Sequence, residues 1–127
     1  PLSKKQREQI YFKYDGHCAY CGKQIDYKDM KVDHLIPLLR TSSNADWKRE
    51  HWYGSTDDPN SMHNLMPSCR SCNYRKGSEP LDVFRIELEH GIECCRRDFT
   101  YRMMVRYGLV VEQPHKVQFY FEQLEEE

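Results

Sequence analysis

The chain has 127 residues, a length that suits one ordinary domain with a modest hydrophobic core. Hydrophobic residues make up 39% of it and charged residues 31%, a balance that excludes a disordered polar chain. No apolar run approaches the roughly 20 residues that a bilayer requires, and the polar, basic N-terminal residues lack the apolar centre of a signal peptide. We therefore expect a cytoplasmic protein in a reducing compartment, without a membrane partner.

The formal net charge of -1 argues weakly against a nucleic-acid partner, because cationic side chains supply much of such affinity. The charge is unevenly distributed, however, since acidic residues gather after Tyr107 and basic residues lie mainly before it. Each basic cluster is typical either of a solvated helix face or of a phosphate-binding surface. The clusters are Lys4, Lys5 and Arg7; Arg70, Arg75 and Lys76; and Arg96, Arg97, Arg102 and Arg106.

Local patterns in the first third of the chain predict a helix and a strand. Ser3 and Gln6 have capping-box spacing, and the apolar stripe after them predicts a first helix near residues 4–14. The run from Lys31 to Ile36 predicts a short strand, closed by Pro37.

The middle of the chain, from Leu38 to Asn60, is polar and rich in turn-forming residues. Loops of this length are usually functional or mobile, and Trp47, Trp52 and Tyr53 are predicted either to pack the loop or to stack on bases. Further elements follow it. They are a short helix from Arg70 to Lys76 ended by Gly77, a helix opened by Pro80 with Leu81, Phe84 and Leu88 on one face, a helix from Ile92 to Tyr107, and a final strand from Val117 to Phe121.

Two C-x-x-C pairs, Cys18 with Cys21 and Cys69 with Cys72, have the spacing of paired ligands to one tetrahedral zinc ion. Four thiolates close the coordination sphere, so we expect this zinc to be structural. A reducing compartment disfavours disulfides, and a redox C-x-x-C would not need a second pair. The adjacent cysteines at positions 94 and 95 lie outside the pattern, and we expect them to pack as small hydrophobic residues.

Three sequence blocks occur in order: C-A-Y-C-G-K, V-D-H-L-I-P-L and H-N-L-M-P-S-C-R-S-C-N-Y-R-K-G. Together they closely resemble the HNH endonuclease family, in its subgroup with a four-cysteine zinc site, over about Lys13 to Gly77. The resemblance implies an α+β fold with a ββα-metal core and zinc knuckles, flanked by an N-terminal helix and by a C-terminal helical extension with a final strand. Residues 1–127 would be a single nuclease domain, with its core at about 13–77. Residues 78–127 resemble the helical extension of small bacterial and phage HNH proteins.

This resemblance implies a metal-dependent DNA endonuclease that hydrolyses phosphodiester bonds. His34 matches the general base, a role that suits an imidazole with a pKa near neutrality. Asn64 matches the asparagine that would orient His34. Asp33 matches the metal-binding acid, and Asn73 stands where many members have a histidine. Because both offer hard oxygen ligands, they favour Mg²⁺ or Mn²⁺ as the catalytic ion.

Other interpretations of the same residues remain open. Strict strand alternation would point Asp33 and His34 to opposite faces, so catalysis requires an irregular strand end. Asn64 and Asn73 could simply satisfy backbone groups at a turn and at a helix start. The alternative functions are a catalytically silent zinc module that binds DNA and a structural zinc domain for protein contacts. In the nuclease interpretation, the residues expected to contact DNA phosphates are Arg70, Arg75 and Lys76.

Overall fold

The computed structural model describes residues 1–37 and 59–125. The aromatic loop residues Trp47, Trp52 and Tyr53 lie outside these ranges. The chain forms two compact units, of which the first comprises Pro1–Leu81 with Phe119–Glu127 and the second Asp82–Gln118. The last segment of the chain thus belongs to the same unit as the cysteine pairs, and not to a continuous C-terminal extension.

Six α-helices, one 3-10 turn and two strands make up the regular structure of the described residues. In chain order they are α1 (Lys4–Phe12), the 3-10 turn (Tyr27–Asp29), β1 (Lys31–His34), β2 (Leu65–Ser68), α2 (Arg70–Lys76), α3 (Leu81–Glu89), α4 (Gly91–Cys95), α5 (Phe99–Arg106) and α6 (Tyr120–Glu125).

The two strands form an antiparallel pair in which Lys31 lies opposite Ser68 and His34 lies opposite Leu65. The strand predicted from Lys31 begins where expected but ends at His34, two residues early. The Leu35 N–H still donates to the Asn64 carbonyl at 2.9 Å, so the chain leaves the ladder gradually. One side of this pair supports the core of the first unit. Its fully buried side chains include Ile10, Met30, Met66 and Pro67.

The predicted capping box at the start of α1 is confirmed. The Gln6 N–H donates to Ser3 Oγ at 3.1 Å, and the Ser3 N–H donates to Gln6 Oε1 at 3.0 Å. At the other end, Lys13 Nζ donates to the carbonyls of Met62 (3.0 Å) and Leu65 (3.1 Å). Helix α1 is therefore fixed to the start of β2.

Helix α2 has the predicted bounds, Arg70–Lys76. Gly77 follows it with φ 56°, a conformation that glycine adopts without steric cost. This glycine turns the chain away immediately after Lys76, which is therefore the last helical residue.

In the second unit, the helix predicted from Ile92 to Tyr107 is two helices, α4 and α5. Asp98 separates them because its backbone is extended and its carboxylate accepts the Tyr101 N–H at 2.8 Å. A residue that caps a new helix in this way cannot continue the previous one. The packing role predicted for Cys94 and Cys95 is also wrong, since both are exposed.

The predicted final strand is wrong as well, because helix α6 begins at Tyr120. The N–H groups of Tyr120 and Phe121 donate to the carbonyls of Tyr20 and Ala19, both at 2.9 Å, instead of to a neighbouring strand. The alternating pattern did mark the buried side chains, since Phe119 and Phe121 are both in the core. In the part of the chain that the structure describes, no helix is both long and apolar enough to span a membrane.

Candidate metal centre and active site

The two cysteine pairs converge, as the sequence predicts. The Sγ atoms of Cys18, Cys21, Cys69 and Cys72 all lie within 4.8 Å of one another, and the Cys21 and Cys69 sulfurs are 3.8 Å apart. Four sulfurs placed about 2.3 Å from a zinc ion at tetrahedral angles would be about 3.8 Å apart. The cluster could therefore hold one metal ion, and its spacing fits zinc.

The thiolate is the form of cysteine that binds metal, and two of these sulfurs accept hydrogen bonds from the backbone. Backbone N–H groups of Lys23 and Cys72 donate to the sulfurs of Cys21 and Cys69, each at 3.4 Å. A hydrogen bond from the Cys72 side chain, assisted by backbone hydrogen bonds, lowers the pKa of Cys18 to about 4 although burial opposes the shift. Burial raises the pKa of Cys21, and the hydrogen bond with Cys18 together with burial raises the pKa of Cys72, so without a metal the surroundings favour the thiolate at Cys18 and oppose it at these two.

The residues predicted to do chemistry lie beyond the cysteines, at the end of β1 and on α2. Asp33, His34 and Asn73 line one open groove of about 270 Å³. Its wall also includes Val32, Pro37, Gly77 and Ser78. The fold therefore places an imidazole, a carboxylate and an amide from two separate segments around the same space.

Asp33 is almost completely buried, with 6% of its surface exposed. Its Oδ2 atom accepts hydrogen bonds from the Tyr20 hydroxyl and from Lys76 Nζ, the latter at 2.9 Å. Burial and the adjacent Asp33 charge raise the pKa of Tyr20, which keeps its hydroxyl a donor. Tyr20 lies between the first two cysteines, so the carboxylate is linked directly to the knuckle.

The position of Lys76 conflicts with the prediction that it binds a DNA phosphate. Only 1% of Lys76 is exposed, and its ammonium also donates to the His34 carbonyl at 2.8 Å. Because a charged group is rarely buried without a partner, this arrangement shows where its charge is used: it neutralises Asp33 inside the protein. In the sequence Lys76 belongs to a basic cluster, and nothing there indicates that its side chain points into the protein.

The donor set still fits a hard divalent cation. Among the described residues, both contacts to Asp33 are made to Oδ2. The lone pairs of Oδ1 are therefore available to a cation. Asn73 contributes an amide to the same wall. Carboxylate and amide oxygens are ligands that Mg²⁺ and Mn²⁺ accept. The Lys76 charge reduces the attraction of this site for a cation without occupying both carboxylate oxygens.

His34 is held from one side by a residue that sequence reasoning did not single out. Its Nε2 lies 2.9 Å from Asn60 Oδ1. An Nε2–H that donates to this oxygen leaves the lone pair on Nδ1. No sequence motif includes Asn60, which lies at the end of a polar loop, so only the structure could identify it.

Asn64 fastens the chain on the other side of His34. Its amide oxygen accepts the Ile36 N–H at 2.8 Å, and its amide nitrogen donates to the carbonyls of Ile36 (2.9 Å) and Pro59 (2.8 Å). Asn64 thus joins β2 to the segment after His34 through backbone groups. Its predicted role in orienting His34 remains a prediction, with this clamp as a physical route.

The two arginines predicted to contact DNA, Arg70 and Arg75, are both exposed on α2. Arg70 lines a second, larger groove of about 560 Å³ at the other end of β1. Their contact with phosphates remains a prediction.

Comparison with known proteins places this geometry in a family. Residues 18–79 match the model of the HNH endonuclease family. The CRISPR-associated endonuclease Cas9 of Corynebacterium diphtheriae is 30% identical over 78 residues, which are 61% of this chain and 6% of that protein. The crystal structure of the Type II-C Cas9 enzyme from Actinomyces naeslundii matches with a TM-score of 0.50 and 24% identity, over 69% of this chain and 8% of that one. The chain therefore spans only a small part of each relative, and the structural likeness concerns the fold alone.

Residues 18–79 form an HNH endonuclease-family domain that is homologous to the HNH region of Cas9 proteins and has the expected mixed helix and strand fold.

Proposed function

We propose that this protein is a DNA endonuclease that depends on a divalent metal ion. The observation that carries the proposal is the groove that gathers Asp33, His34 and Asn73. Hydrolysis of a phosphodiester needs a base for the attacking water and positive charge near the phosphate oxygens. This groove offers a candidate base beside two candidate metal ligands, and its HNH family and its relationship to an endonuclease support the same activity.

His34 is the proposed general base. With Nε2–H donating to Asn60, Nδ1 accepts the proton of the attacking water. The Lys76 ammonium binds the His34 carbonyl, and Asn64 clamps Ile36, so the backbone on both sides of the imidazole is fixed. The hydrogen bond to Asn60 limits the rotation of the ring, and the fixed backbone holds its point of attachment. A well-oriented base is more effective than a mobile one.

Asp33 and Asn73 are the proposed ligands of the catalytic Mg²⁺ or Mn²⁺. When bound, such an ion stabilises the negative charge that develops on the scissile phosphate and its leaving oxygen. Tyr20 and Lys76 hold Asp33 Oδ2, which fixes the carboxylate plane and leaves Oδ1 for the ion. The structural metal of the cysteine cluster would be Zn²⁺, held by thiolates that leave no position for substrate.

One observation favours the second candidate, a catalytically silent zinc module that binds DNA. The Lys76 ammonium lies 2.9 Å from Asp33 and supplies the positive charge that a metal ion would otherwise provide. If this ion pair excludes the metal, the fold retains its zinc cluster and loses the chemistry. Cleavage in the presence of added Mg²⁺ distinguishes the two candidates.

The decisive test is His34→Ala in a plasmid cleavage assay with added Mg²⁺ or Mn²⁺. We expect the rate to fall by a factor of about 10² to 10⁴, because the lost group acts on the attacking water. Zinc content and DNA affinity should stay at the level of the unaltered protein. His63→Ala is the matched control, since His63 is an exposed histidine outside the groove. Equal cleavage by the His34 variant would remove His34 as the general base, whereas no cleavage by the unaltered protein would favour the silent module.

A further inference from the structure

Four basic residues line the larger groove, three from residues 23–31 and one from the start of α2. Lys23 follows the first knuckle, Lys28 lies in the 3-10 turn, Lys31 begins β1 and Arg70 begins α2. All four are exposed. We refer to this feature as the basic groove. Two carboxylates, Asp26 and Asp29, share its wall, so basic groups exceed acidic ones by four to two.

The four cations keep their charge available. Among the residues that the structure describes, none of the four forms an ion pair, although Asp26 and Asp29 lie in the same wall. Elsewhere the chain does pair its exposed cations, as in the contact of Arg96 with Glu112 at 2.8 Å. Since the whole chain has a formal net charge of -1, this surplus is a local property of the groove.

The groove wall is also held in place. The Arg7 guanidinium of α1 donates to the carbonyls of Tyr27 (3.1 Å) and Met30 (2.8 Å), at the two sides of the turn that carries Lys28. Lys31 follows directly and is paired with β2 opposite Ser68. The backbone that carries Lys28 and Lys31 is thus held in place before any ligand arrives.

A competing explanation is that the cations compensate the negative charge of a metal-thiolate cluster, since Cys69 also lines the groove. The recorded contacts argue against it. The sulfurs of Cys21 and Cys69 accept hydrogen bonds from the backbone N–H groups of Lys23 and Cys72, and within the described ranges no cationic side chain donates to them. The exposed ammonium and guanidinium groups therefore face solvent and not the sulfurs.

We propose that the basic groove binds the phosphodiester backbone of the nucleic acid whose scissile phosphate lies in the groove of Asp33 and His34. This proposal rests on the proposed function for the identity of its ligand. Lys31 and His34 are the two ends of β1, roughly 10 Å apart at about 3.4 Å per residue. Phosphates of one DNA strand advance about 3.4 Å along the helix axis per nucleotide, so this distance corresponds to about three nucleotides. A DNA strand that runs parallel to β1 would therefore reach both grooves within about three nucleotides.

The test compares two double variants in DNA binding, measured with a short fluorescent duplex at several salt concentrations and without added divalent cations. Lys28→Ala with Lys31→Ala removes two cations of the basic groove that do not adjoin a cysteine ligand in sequence. Lys4→Ala with Lys5→Ala removes two exposed cations of α1 that lie outside it. Each lost phosphate contact should lower the slope of log affinity against log salt by about 0.9, so we expect the slope of the first variant to fall by about 2 and that of the second to stay unchanged.

Zinc analysis of both variants completes the design. Normal zinc with a reduced slope supports the proposal. An unchanged slope, an equal reduction in the α1 variant, or a loss of zinc without a change in DNA affinity would overturn it. Arg70→Ala is a second variant that should lower the slope by about 1. Because these measurements need no cleavage, a failed plasmid assay with a reduced slope would reject the nuclease and retain the basic groove.

Discussion

The cysteine cluster and the groove of Asp33 and His34 are built from the same two stretches of chain, yet the cluster has a closed set of ligands and the groove an open one. In the cluster, four equivalent ligand atoms lie within 4.8 Å of one another and can complete a tetrahedron. In the groove, the acid is shared with Lys76, and its candidate ligands line an open space of about 270 Å³. A closed coordination sphere stabilises a fold, whereas an open one leaves a position for a substrate. The comparison shows that the number of available ligands distinguishes the site expected to be structural from the proposed active site.

The largest expected effect breaks the structural half of this comparison. Cys69→Ser should abolish stable folding of the first unit, because zinc binding by such sites is coupled to folding. Circular dichroism should show the loss of structure, and metal analysis should show the loss of about one zinc ion per chain. Cys95→Ser is the control, since that exposed cysteine lies outside the cluster. A folded, zinc-free Cys69 variant would contradict the structural role of the cluster.

A smaller effect is expected from breaking the ion pair between Lys76 and Asp33 in the groove. Lys76→Met leaves the buried Asp33 carboxylate without its cation, and should lower the free energy of unfolding by about 3–5 kcal/mol. Arg75→Met, on the exposed neighbour, should change it little. Chemical denaturation measures both.

Combining Lys76→Met with Asp33→Asn removes both charges and should recover part of the lost stability. If Lys76→Met alone were as stable as the unaltered protein, the ion pair would not stabilise the end of β1.

The smallest expected effect sharpens the distinction between the two metals. Asn73→Ala removes one of the two proposed ligands and should raise the Mg²⁺ or Mn²⁺ concentration needed for half-maximal cleavage several-fold, with zinc content unchanged. A titration of plasmid cleavage against Mg²⁺ provides the measurement. Unchanged metal dependence would remove Asn73 from the proposed ligand set and leave it as a helix residue of the groove wall.

Much of the first unit could be predicted from sequence because its signals are local or have fixed spacing. The capping box at Ser3, the C-x-x-C pairs and the glycine after α2 each depend on neighbouring residues, and the structure agrees with them. The family resemblance supplied the order of Asp33, His34 and Asn73, which the fold then gathers in one groove.

The features that sequence reasoning missed depend on contacts between distant segments. Lys76 lies among exposed basic residues in sequence, but its ammonium reaches Asp33, 43 positions away in the chain, and is buried there. Asn60 meets His34 across the long loop. The alternation at Phe119 and Phe121 indicated burial correctly but could not show that their segment binds the knuckle and not a strand. The direction of a side chain and its contact partner depend on the tertiary structure.

The return of the last segment changes what counts as a minimal fragment. The family match ends at residue 79, but the N–H groups of Tyr120 and Phe121 bind the carbonyls of Tyr20 and Ala19 between the first two cysteines. The fit is close, since a Cβ atom at Gly22 would lie 2.8 Å from Tyr120 Cδ1. A protein shortened to the matched residues would expose this part of the knuckle and lose two buried phenylalanines from its core. The HNH unit of this chain is therefore discontinuous, and its excision for biochemical or engineering purposes must retain residues at both ends.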